Sequence, residues 1–230
     1  MKIVLFDIDG TLLVSDNAGR TAMETALTAT FGTAGPASYR YSGKTDKLIV
    51  RETMRLEGFD DATIDARMPM VLELYLAELH THLEGDTHSA RALPGVAPLL
   101  DAVEAHDGLV LGLLTGNLIE GARAKLRAVS LDHGRFRVGA YGSDHEDRPM
   151  LPPIARERAS AFLGRDVPGD KLIIIGDTPF DVTCGRGVGA RAIAVATGHY
   201  SRDELLEHGP DAAFHDLADT AAVMGAILDA

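Results

Sequence analysis

The chain has 230 residues, 46% of them hydrophobic and 24% charged, which suits a soluble globular core and excludes extensive disorder. A formal net charge of −12 disfavours nucleic acid and anionic membrane surfaces as partners. A small phosphorylated molecule stays open, because a local cationic pocket overrides the net field at short range. A single cysteine, Cys184, excludes an internal disulfide and a cysteine-built zinc or iron–sulfur centre.

The apolar run after Met1-Lys2 is too short for a signal or membrane segment, so the expected location is the cytoplasm. Lys2 to Ile8 reads as a short buried strand, broken by Asp9-Gly10-Thr11. From about Asp16 to Ala90 the pattern is helical, with no convincing strand. Ser15 and Asp16 are the expected caps of a helix through Phe31, stopped by Gly32. Thr45-Asp46 opens a second helix. Asp60 and Asp61 open a third, which Pro69 is expected to divide or kink and Gly85 to end. His80, His82 and His88 spread over its end read as a solvated face rather than a metal site.

Alternation begins afterwards. Helices are expected at Pro94–His106, Asn117–Val129, Pro153–Leu163, Thr178–Gly187 and Leu217–Leu228. Strands are expected at Leu109–Leu114, Phe136–Tyr141, Lys171–Ile175, Ala190–Ala196 and, at an edge, Ala212–Phe214. This is an α/β pattern: a parallel, Rossmann-like sheet, with an all-helical segment inserted after the first strand. The expected division is a core of residues 1–14 and 91–230 and a helical domain of residues 15–90.

The acids fall where strands end. The first strand ends Asp7-Ile8-Asp9-Gly10-Thr11, the second Leu114-Thr115-Gly116-Asn117, and the later apolar one Gly176-Asp177-Thr178-Pro179-Phe180-Asp181. Strand ends of a parallel sheet share one rim. Neighbouring strands would therefore gather four carboxylates, one hydroxyl and free backbone N–H groups. Such acids repel one another and call for a cation, and an oxygen-only set favours Mg2+.

These segments resemble the motifs of the haloacid dehalogenase superfamily, phosphoglycolate-phosphatase-like members with a helical cap in particular. The first motif matches Asp7, Asp9, Gly10 and Thr11; the second Thr115, Gly116 and Asn117; the fourth Gly176, Asp177, Thr178 and Asp181. The third motif, a Lys or Arg often followed by Pro, is matched by Arg148-Pro149, with Lys125 as the rival.

The resemblance implies a magnesium-dependent phosphatase of a small phosphorylated metabolite, with Asp7 as nucleophile and Asp9 as general acid and base. It implies metal ligation by Asp7, the Asp9 main-chain carbonyl and Asp177, with Asp181 acting mainly through a coordinated water. Thr115, Arg148 and backbone N–H groups would receive the phosphoryl oxygens. The glycines and polar residues of the first two motifs (Gly10, Thr11, Gly116, Asn117) would line the substrate. In Ser42-Gly43-Lys44-Thr45-Asp46, Lys44 and Thr45 would contact the leaving group, a carboxylate such as that of phosphoglycolate; otherwise they cap a helix and meet solvent. A sugar phosphomutase would share every core residue, and a non-catalytic phosphate-binding module is the further alternative. Oligomeric state is not legible.

Overall fold

The computed structural model describes residues 1–84 and 89–230. The expected stop at Gly85, and His88, lie outside the described residues. The elements in chain order are β1 (Lys2–Phe6), β2 (Leu13–Val14), α1 (Ala18–Phe31), α2 (Asp46–Leu56), α3 (Asp61–Leu83), β3 (Arg91–Ala92), α4 (Val96–Glu104), β4 (Leu109–Thr115), α5 (Ile119–Ala128) and β5 (Val138–Tyr141). They continue with α6 (Leu151–Leu163), β6 (Leu172–Gly176), α7 (Pro179–Cys184), β7 (Arg191–Val195), α8 (Arg202–Leu206), β8 (Ala212–Phe214) and α9 (Thr220–Asp229).

Six strands form one sheet in the order β5-β4-β1-β6-β7-β8, and every pair is parallel. The central strands carry apolar residues on both faces because both faces are covered. Val4, Phe6, Leu111, Leu113, Ile173 and Ile175 pack towards α4, α5 and α9. Ile3, Leu5, Val110, Leu114, Leu172 and Ile174 pack towards α6 on the other face. The chain runs outward from β1 to β4 and β5, then crosses to β6 and runs outward the other way, so the topological switch lies at β1. Open α/β sheets bind ligands outside the strand ends at such a point.

The helical block α1–α3 joins the sheet through a two-residue antiparallel ribbon, Leu13 and Val14 paired with Ala92 and Arg91. That ribbon is too short to carry a strand pattern in the sequence. The block has its own apolar cluster, including Met23, Leu27, Ile49, Met54, Ile64, Val71, Tyr75 and Leu79, which extends onto Leu118 at the start of α5 and Ala124 within it. Polar contacts also tie block to sheet: Asp46 N–H donates to Gly116 O (2.9 Å), Lys47 Nζ to Ser143 O (2.7 Å) and Arg51 Nε to Glu146 Oε2 (2.8 Å).

Two local expectations need correction. The first helix is not capped by Ser15 or Asp16; it starts after Asn17, and Asp16 and Asn17 both take left-handed backbone (φ 41° and 69°) as the chain turns into the block. Asx residues tolerate that region better than most. Pro69 does not divide α3, which runs unbroken from Asp61 to Leu83. Pro69 and Asp65, four residues earlier, are both exposed, so water can take up the Asp65 carbonyl that loses its helical partner.

Candidate active site

Asp7 is the first residue beyond β1, and its N–H donates to Ile175 O of β6 (2.9 Å). Because β4 and β6 flank β1 in parallel register, Thr115 and Asp177 arrive at the same rim from either side. Asp7, Asp177 and Asp181 each offer a buried carboxylate oxygen, and these oxygens all lie within 4.8 Å of one another. Asp181 reaches the rim through a capping box: its backbone N–H approaches Thr178 Oγ1 (3.3 Å), and its Oδ2 accepts from Thr178 N–H (3.0 Å). Gly10 sits at φ +80°, where a Cβ would stand 2.4 Å from Asp177 Oδ2, so only glycine lets this turn approach the acid. Gly116 is equally confined: a Cβ there would lie 2.1 Å from Lys44 O of the helical block.

The electrostatics follow from burial. Burial pushes the Asp7 carboxyl up to about 7; Arg148 opposes this, and Asp181 and Asp9 add to it. Asp177 is raised well above the ordinary carboxylate range by burial and by Asp181 and Asp7. Arg148 is 3% exposed, with a guanidinium nitrogen on Asp181 and the same nitrogen 3.5 Å from Asp7. Burial works against its charge, but Asp181 and Asp7 outweigh burial and hold it above the ordinary arginine value. One guanidinium thus faces three buried acids. The excess of carboxylate, the all-oxygen donor set and the close spacing fit a hard divalent cation.

A cavity of about 380 Å³ opens at this rim between sheet and helical block, lined by Asp7, Asp9, Gly10, Gly116, Asn117, Thr115, Arg148 and Asp177 among others. Asp9 belongs to a different polar group. Its oxygens accept from Lys125 Nζ (2.9 and 2.7 Å), and Oδ2 also accepts from Asn117 Nδ2 (2.7 Å). Asn117 Nδ2 donates as well to Thr115 Oγ1 (2.8 Å). Arg148 is therefore the cation at Asp7 and Lys125 the cation at Asp9.

Other expected residues are differently placed. Thr11 is buried with its hydroxyl donating to Asp177 Oδ1 (3.1 Å), so it orients the acid rather than lining the cavity. Thr45 does not line the cavity: its Oγ1 caps α2 by accepting from Leu48 N–H (3.1 Å) and donates to Glu146 O (2.5 Å). Lys44 lines the cavity, but its ammonium already donates to Glu52 Oε2 (2.7 Å) and Tyr39 Oη (2.9 Å). Two features escaped the sequence reading. The Thr197–Gly198 turn closes the rim, with Thr197 Oγ1 donating to Gly10 O (2.5 Å); its signal was its place at the end of β7. The reach of Lys125 to Asp9 and Asn117 left no local signal, since Asp9 lies 116 residues away along the chain.

Fold and rim together define a class, a parallel α/β protein whose buried aspartates gather at the switch point of its sheet. Residues 148–220 match the HAD-hydrolase-like family. Phosphoglycolate phosphatase of Rhodospirillum rubrum is 29% identical over 235 residues, covering 97% of this chain and 91% of that one. Pyrophosphatase PpaX of Anoxybacillus flavithermus is 25% identical, covering 98% and 97%. A hydrolase structure from Pseudomonas syringae superposes with a TM-score of 0.75 at 23% identity, covering 99% of both chains. CbbY from Rhodobacter sphaeroides, solved in complex with phosphate, gives 0.72 at 24%, covering 95% and 96%. The chain is thus similar to haloacid-dehalogenase-like hydrolases over residues 148–220 and to phosphoglycolate phosphatases over nearly its whole length.

Proposed function

We propose that this hydrolase, an enzyme of phosphoric monoesters, dephosphorylates a small phosphorylated metabolite through an aspartyl-phosphate on Asp7. The observation that carries the reading is the pairing, in one cavity, of a buried Asp7 backed by Arg148 with a half-exposed Asp9 held by a separate cation. One carboxylate is fixed at the cavity floor beside donors for phosphoryl oxygens; the other stands open to the leaving group. Residues 15–90 act as a cap over residues 1–14 and 91–230, and cavity lining from both parts supports that division.

Asp7 attacks phosphorus while the leaving oxygen takes a proton from Asp9; Asp9 then accepts a proton from the water that cleaves the acyl phosphate. Thr115 and Arg148 stand where phosphoryl oxygens need donors, and preorganised donors supply most of the stabilisation in such transfers. Asp7, Asp177 and Asp181, with the Asp9 carbonyl, would hold Mg2+. The bound cation offsets repulsion between Asp7 and an anionic phosphate.

A phosphoglycolate-like ester is the leading substrate. Lys44 keeps one N–H beyond those given to Glu52 and Tyr39, and that N–H is available to a leaving-group carboxylate. The test is phosphate release with Mg2+ from phosphoglycolate, sugar phosphates, nucleotides and, given the PpaX relatives, inorganic pyrophosphate. Release by wild type and not by Asp7→Asn is the expected result. Sugar phosphate isomerised without release would replace hydrolysis with phosphomutase activity.

A further inference from the structure

Lys125 is 4% exposed, an unusual state for a lysine, and all three of its N–H groups are engaged. Two go to the Asp9 oxygens and one to Asn117 Oδ1 (2.6 Å). Among the described residues Asp9 Oδ2 accepts twice, from Lys125 and Asn117, whereas Oδ1 accepts only from Lys125. A carboxylate oxygen has two lone-pair directions. Oδ1 therefore keeps one free, on a side chain that is 43% exposed and lines the cavity.

Each helix of the block contributes a residue over this lysine. On α1, a Cβ at Gly19 would lie 3.3 Å from Lys125 Nζ and 3.9 Å from the Tyr75 hydroxyl, so α1 closes tightly over both. Tyr75, on α3, lies close enough to Asp46 at the start of α2 to bear on its charge. Asp46 is itself anchored to the sheet side, with Oδ2 accepting from Leu118 N–H (2.7 Å). Lys125 is thus a sheet-side residue whose solvent is excluded by the helical block and whose charge faces Asp9 on one side and Asp46 on the other. With no N–H left over, it is not placed to receive a phosphoryl oxygen.

We propose that Lys125 is a positioning residue: with Asn117 it holds Asp9 so that Oδ1 faces the leaving group, and the docked helical block seals it there. The inference rests on the reading of Asp9 as the acid–base group. It implies that losing Lys125 harms proton transfer to the leaving group more than attack on phosphorus.

The test compares p-nitrophenyl phosphate with phenyl phosphate, esters of similar shape whose leaving groups differ in their need for a proton. Correctly placed acid–base groups contribute about 10²–10⁴-fold. Lys125→Met should therefore lose at least roughly tenfold more kcat/KM, which reports the leaving-group step, on phenyl than on p-nitrophenyl phosphate, with Lys125→Arg recovering part of the difference. Asn117→Ala should show the same asymmetry at smaller size, and serves if Lys125→Met does not fold. Equal losses on both esters would overturn the assignment. A crystal structure of the variant decides independently of turnover: a reoriented Asp9 carboxylate supports the proposal, an unmoved one overturns it. Absence of wild-type turnover on either ester would instead count against the phosphatase reading, leaving the crystal structure to judge Lys125.

Discussion

Two charged clusters meet at one cavity, and they differ in balance. At the floor, Asp7, Asp177 and Asp181 share a single guanidinium, that of Arg148. Beside it, Lys125 is ion-paired with Asp9 and its charge also favours the ionised form of Asp46, with Asn117 and the Leu118 N–H supplying further donors. The floor keeps an excess of negative charge, and burial, with the neighbouring acids adding to it, pushes Asp7 and Asp177 towards the protonated form. The second cluster is closer to neutral and more fully hydrogen-bonded. The contrast separates two tasks. A site that awaits a cation and an anion is left unbalanced, whereas a group that must keep one orientation is surrounded with partners.

The largest expected effect lies at the floor. Asp7→Asn should lower kcat by at least about 10³-fold, as loss of a nucleophile does, measured as phosphate release at saturating substrate. Wild-type turnover by this variant would remove the distinction between the clusters. Next, Asp177→Asn should raise the Mg2+ concentration for half-maximal activity by roughly 10–100-fold, read from activity against metal concentration. The same titration of Lys125→Met should show a much smaller shift, since Lys125 contacts no member of the floor cluster among the described residues.

A pH dependence sharpens the comparison further. An acid whose folded pKa is raised contributes stability that is full below its unfolded value, near ~4, and lost as pH rises through the folded value. For Asp7 the folded value is about 7, so metal-free protein should lose stability between roughly pH 4 and 7. Asp46, pushed up to about 6 by burial against the opposing charge of Lys125, adds in the same direction. Thermal melts should show a falling metal-free melting temperature over this range, and a larger gain on adding Mg2+ at pH 7.5 than at pH 5. A chain of this size moves about 2–4 °C per kcal/mol. Asp7→Asn should flatten the slope; an unchanged slope would show that Asp7 is not its source.

The smallest effect is expected in the helical block. Thr45→Ala removes the cap of α2 and should cost about 1 kcal/mol, seen as a denaturation midpoint shift, while leaving the affinity for Mg2+ unaltered.

The floor was legible in the sequence because it is made by strand ends. Continuous apolar runs fix β1, β4 and β6 as central strands, and their first polar residues must then share a rim. The parallel sheet, the helical insertion and the starts of α2 and α3 follow from the same local patterns. The second cluster was not legible. Lys125 meets Asp9 across 116 residues, and its burial depends on how three helices lie over α5. Thr45 illustrates the limit from the other side: a polar residue in a Gly-containing loop suits a cap or a ligand contact equally, and only the Leu48 N–H and Glu146 O decide between them. The β2–β3 ribbon was missed because two residues on each side leave no periodicity to detect.

The most direct measurement is chemical trapping of the intermediate. Wild-type protein would be mixed with a turned-over phosphate ester and Mg2+, quenched rapidly in acid, and reduced with borohydride, which converts an aspartyl-phosphate to homoserine. Peptide mass spectrometry then locates the change. An aspartyl-phosphate on Asp7 predicts homoserine at position 7, dependent on both ester and Mg2+. Homoserine at position 9 or 177, or none at all during active turnover, would contradict it.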